Sequence, residues 1–168
     1  MRYACLLLVS LTVMLPVTAA AAEEPLVKFE GGIGATPAAI VGGVLVINTT
    51  RGVPPGGRPW VIESLSAEVN IDGRVSVDGR GLLLGGGDAI GTTANQSVRA
   101  RLFCGPAATA TVHQSDLVPL EASGDFRIDG VLTPLAPTTS ATPPAPCTTP
   151  VLLIVSGGGS WFAAGIPK

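Results

Sequence analysis

Two stretches of this chain alternate too regularly to be read as anything but strands, and they limit what the rest can become. Over 64–72, Leu65, Ala67, Val69 and Ile71 alternate with Ser64, Ser66, Glu68, Asn70 and Asp72. Over 97–105, Val98, Ala100, Leu102 and Cys104 share one parity and Arg99, Arg101 and Phe103 the other. A period of two is that of an extended chain with one buried face. The first stretch runs into Asp72-Gly73 and returns through Val75, Val77, Gly79 and Gly81, the pattern of a β-hairpin. Keeping Ile71 opposite Val75 calls for a three-residue loop, 72–74, because a two-residue turn would flip the return strand.

Elsewhere the punctuation is heavy. The chain carries 22 Gly and 15 Pro, which cut the apolar runs into short pieces and leave no room for a helix. Short strands are expected at 40–47, 109–113, 117–120, 126–130 and 151–155, with 161–166 closing a last hairpin. The run 48–59 reads as a loop, 85–88 as a mobile Gly-rich loop, and the Thr/Pro/Ala tract at about 133–146 as an extended crossing over the surface. Eight to ten short strands separated by turns predict an all-β domain, an antiparallel β-sandwich with Greek-key-like connections, with a partly open β-barrel as the alternative.

The N-terminus reads differently. Arg2, an apolar run over 4–15, Pro16, and Ala20 and Ala22 at the spacing of a signal peptidase site predict a signal peptide over 1–22. That run is far short of the roughly 20 residues that span a bilayer. Residues 23–168 then form a single domain, secreted or periplasmic, with no membrane insertion after cleavage. Cys5 belongs to the leader, so Cys104 and Cys147 make an even pair in a compartment where disulfides persist. A metal-binding or catalytic thiol pair is the competing reading, and it lacks both Cys-x-x-Cys spacing and partner histidines.

Ten Lys and Arg against twelve Asp and Glu give a net charge of −2. Nucleic acid and anionic membrane both call for clustered basic residues, so neither is an expected partner. The single histidine, His113, cannot build an imidazole-rich metal site. Its neighbours Ser115 and Asp116 are too local in sequence to form a triad by adjacency, and no Gly-x-Ser-x-Gly elbow occurs. The Asp-Gly pairs at Asp72, Asp78 and Asp129 suit turns better than a calcium site, because they are a whole strand apart. No catalytic residue, metal or cofactor is expected. Trp60, Trp161 and Phe162 are the candidate ligand contacts, as an exposed ring platform for a glycan. Phe103 is core if its sheet has a second packed face and a contact residue if it does not.

The segments 98–105, 124–129, 146–154 and 161–166 resemble a group of short exported bacterial proteins with no assigned activity. That resemblance implies a secreted bacterial β domain and brings no catalytic residues. The functional expectation is a non-catalytic exported protein with a structural, adhesion or binding role, its partner a glycan or an envelope protein. A glycan-binding module using the tryptophans and an enzyme of unknown type are the alternatives.

Overall fold

The computed structural model describes residues 24–168, and the leader expected over 1–22 lies outside them. Every regular element among the described residues is a strand, and every ladder between strands is antiparallel. The first half holds β1 (Pro25–Gly34), β2 (Ala38–Val41), β3 (Val44–Ile47), β4 (Trp60–Val61), β5 (Ser64–Asn70), β6 (Arg74–Arg80) and β7 (Leu83–Leu84). The second half holds β8 (Ser97–Cys104), β9 (Thr111–Gln114), β10 (Val118–Pro119), β11 (Phe126–Val131), β12 (Thr133–Pro134), β13 (Val151–Ser156) and β14 (Trp161–Pro167).

Ten of these strands form one sheet whose path is β11, β6, β5, β1, β14, β13, β8, β9, β12, with β10 also paired to β8. The path returns towards its start. β10 pairs with β8 through Val118 and Pro119, lies against β11, and leads into it through a turn closed by the Glu121 N–H on the Asp125 carbonyl at 2.9 Å. The sheet is therefore nearly closed and barrel-like. A fully closed sheet has no free edge, and here the turn 121–125 stands where the last ladder would be.

The alternation in the sequence fills the inside. Phe29, Leu65, Ala67, Val69, Val75, Val77, Phe126 and Ile128 point inward from one side, and Val98, Ala100, Leu102, Leu152 and Ile154 from the other. Packing is close enough that two glycines are fixed by their neighbours. A Cβ on Gly79 would lie 2.2 Å from the Phe126 ring, and one on Gly34 would lie 2.1 Å from the Trp60 carbonyl oxygen.

The hairpin expected at Asp72-Gly73 is present with its inward parity intact, but its loop is 71–73 rather than 72–74. Val69, not Ile71, faces Val75, and Ile71 is turned out into solvent. The cause is local: Asp72 Oδ1 accepts the Arg74 N–H at 3.0 Å, and Gly73 takes a positive φ of 86°, so the turn closes one residue early. The 85–88 segment is pinned, with the Gly85 N–H on the Pro59 carbonyl at 2.7 Å.

On the far side the sheet carries a second layer. Leu153 and Val155 have outward parity yet are fully buried, and Phe103 is core by the same token. The strap 48–57 contributes to this layer. Trp161 exchanges backbone hydrogen bonds with Pro54 and Gly56, and Arg51 donates to the carbonyls of Gly105 and Thr149 at 2.9 and 3.0 Å. Cys104 and Cys147 form a disulfide across a sequence separation of 43, with Cα atoms 4.9 Å apart. The tract at 133–146 lies between β9 and the β5–β6 turn. Leu135 N–H donates to the Val112 carbonyl, and Pro143 packs beside Gly73.

Candidate functional site

The rings singled out from sequence lie in the core. Trp60 and Phe162 stack with centroids 3.9 Å apart and planes 14° from parallel, and both are buried. Trp161 is buried as well, its indole N–H donating to the Asn48 carbonyl at 3.0 Å. The expected exposed ring platform is therefore corrected: with aromatics at 4% of the chain, the core takes these rings. A hollow of about 410 Å³ is lined in part by Trp60 and Phe162, and the face that each ring turns to the other is taken up by the stack.

His113 is fully buried on β9. Its Nε2 donates to the Ser140 carbonyl at 2.9 Å, and since a carbonyl only accepts, the proton sits on Nε2. Ser115, also buried, accepts the Ala100 N–H and donates to the Asp116 carbonyl, so its hydroxyl is used for structure. Arg99 and Arg101 are half-buried rather than solvated. Burial, and then the neighbouring Arg99 charge, lowers the Arg101 pKa from its ordinary value, and Arg101 donates to Gln114 Oε1 at 3.0 Å.

A cleft of about 660 Å³ lies on the outer face of β1, β5, β6 and β11. Its volume is in the range of ligand sites. The register builds it from two cross-strand rows. One row is Lys28, Glu68, Ser76 and Asp129, each opposite the next across a ladder. The other is Glu30, Ser66, Asp78 and Arg127. Asn70, Arg74 and Val131 flank them at one end.

Opposite charges in this cleft find each other. Lys28 meets Glu68 at 2.7 Å, Arg127 meets Asp129 at 2.6 Å, and Ser76 donates to Asp129 at 2.9 Å. Asp78 pairs with Arg80 at 3.4 Å, and Glu30 with Lys168. The hydrogen bond from Arg127, and next that from Ser76, holds the Asp129 carboxyl below its ordinary pKa, while the bond to Asp129 raises that of Arg127. All these pairs are solvent-exposed, so each adds little to stability. The aspartates of the three Asp-Gly pairs are thus engaged by cations, hydroxyls or backbone. Among the described residues, no three His, Cys, Asp or Glu side chains converge as a metal site would require.

Sequence parity indicated that Ser66, Glu68 and Asn70 face outward. It could not show that Lys28 of β1 and Arg127 of β11 join them, because that depends on strand order. Compared with protein-family models, curated proteins and solved structures, the chain gives no match in any of the three.

Proposed function

We propose that this chain is an exported, non-catalytic binding module of a bacterial envelope or its surroundings, which docks on a protein surface through the charged cleft of β1, β5, β6 and β11. We read its architecture as a partly open barrel rather than a two-sheet sandwich, on the support of one sheet path that returns to β11 through β10. The disulfide fits an oxidising compartment.

One observation carries the docking reading. The lining sets carboxylates and cations side by side in two rows, each with an exposed partner. Such pairs can be exchanged at little cost for pairs across an interface, and mixed signs select for a partner of matching pattern. A polyanion would meet like charge at two of the four positions in either row, and a polycation at one. Sugars prefer an exposed aromatic face, and the only ring among the described residues lining this cleft, Phe29, is buried.

The test is retention of the labelled, leader-free protein on its host's envelope fraction. Retention is expected to fall as salt rises, since exposed pairs are screened. A double charge reversal, Lys28→Glu with Arg127→Glu, is expected to reduce it about tenfold or more. Retention indifferent to both, or robust turnover by the purified protein, would overturn the reading.

A further inference from the structure

The hollow beside Trp60 and Phe162 is walled by segments far apart in sequence: residues 56–58, β4, β7, the loop at 94–96, and the turn 156–160 between β13 and β14. Its volume, about 410 Å³, is in the range of small-molecule sites. Arg58, Trp60, Ser156 and Ser160 line it with hydrogen-bond donors, and no carboxylate lines it.

Two of these donors are nearly out of solvent and unused. Trp60 is 5% exposed, yet its indole N–H makes no hydrogen bond among the described residues. A buried tryptophan ordinarily finds an acceptor for that group, as Trp161 does on the Asn48 carbonyl. Trp60 Nε1 is not sealed off by protein either, so it opens on the hollow that the residue lines. Glycine at position 56 keeps it open, since a Cβ there would lie 2.7 Å from that nitrogen. Ser156, also 5% exposed, accepts the Ser160 N–H at 3.2 Å, and its own hydroxyl hydrogen has no acceptor among the described residues. A buried donor left without an acceptor is costly, and a ligand oxygen would remove that cost. Arg58 supplies charge at the rim. It is exposed, packs against Gly87, and pairs with no carboxylate among the described residues, Asp88 included.

We propose that this hollow binds a small organic carboxylate with an apolar body. The two carboxylate oxygens accept from the Trp60 N–H and the Ser156 hydroxyl, Arg58 answers the charge, and Leu84 and Phe162 offer apolar surface to the rest. A single cation suits a monoanion, whereas a phosphate dianion calls for more positive charge than this lining holds. No exposed ring face is needed. The proposal does not depend on the charged cleft, which lies on other strands.

The test follows the two indole N–H signals of the isotope-labelled, disulfide-bonded, leader-free protein by NMR, one for each tryptophan. Benzoate and hexanoate are the probes, with benzyl alcohol and hexanol as their neutral counterparts. The expected result is a saturable shift of the Trp60 signal with at least one carboxylate, while the Trp161 signal, already bonded to Asn48, stays in place. Arg58→Gln is expected to weaken that binding about tenfold, as loss of a charge-assisted hydrogen bond does. Because Arg58 is exposed, this variant is expected to keep the wild-type thermal midpoint. The neutral counterparts are expected to bind more weakly by a similar factor. The absence of a saturable Trp60 shift with either carboxylate overturns the proposal. Equal shifts of both indole signals, alcohols that bind as tightly as the carboxylates, or undiminished binding by Arg58→Gln overturn it too.

Discussion

At the scale of single residues, the cleft turns on the contact between Arg127 and Asp129. The hydrogen bonds from Arg127 and Ser76 favour the ionised carboxylate, so Asp129 is expected to titrate below the ordinary value of an aspartate. The sign follows from linkage. A depressed carboxyl contributes stability above its unfolded pKa and loses it as pH falls through the folded value. Carbon-detected NMR of the side-chain carboxyls is expected to show this, with Arg127→Gln returning Asp129 towards the ordinary range. An Asp129 unmoved by that substitution would contradict the assignment. A second residue-scale test concerns Gly79, whose missing side chain leaves room for the Phe126 ring. Gly79→Ala is expected to cost about 1–3 kcal/mol by overpacking in denaturant unfolding. Adding Phe126→Leu is expected to recover part of that loss, since the two sites share one space.

Among the elements, those legible in the sequence were the ones whose burial is one-sided. β5, β6 and β8 could be read from parity because their inner and outer faces meet different media. The hairpin loop was misplaced by one residue because an Asx turn, not hydrophobic pairing, sets where it closes. β13 shows where parity stops working, for Leu153 and Val155 are buried by a layer whose backbone contacts come from residues far away in sequence. The strap 48–57 looked like a Gly/Pro loop, and nothing local shows that it hydrogen-bonds along β14. The ring platform failed for the same reason: whether Trp60 and Phe162 face solvent depends on what packs against them. A Cβ on Gly56 would lie 2.7 Å from Trp60 Nε1 and 3.0 Å from Phe162. Gly56→Ala is accordingly expected to disturb the stack, read as a shift in tryptophan emission and a lower thermal midpoint. Unchanged emission and midpoint would mean that the strap is not packed against these rings.

For the molecule as a whole, a nearly closed sheet and a disulfide do complementary work. The sheet brings β1 and β11 onto one face, which no single segment encodes, and the staple ties the end of β8 to the segment before β13. Cys104→Ala with Cys147→Ala frees the unfolded chain from a 43-residue crosslink, and the loop-entropy model sets its cost at up to about 4 kcal/mol. Loss of stability of that order in denaturant unfolding is expected, with the cleft retained where the variant stays folded. The central claim, that the charged face is where this protein meets its partner, is tested most directly by site-specific photo-crosslinking in the native host. Probes are placed at Ser66 and Ser76 in the cleft and at the exposed Ala122 and Ser123 in the turn before β11. The account predicts one discrete protein adduct from Ser66 and Ser76, lost when Lys28→Glu and Arg127→Glu are combined, and none from the turn. Adducts from the turn alone, or from the cleft regardless of its charges, would contradict it.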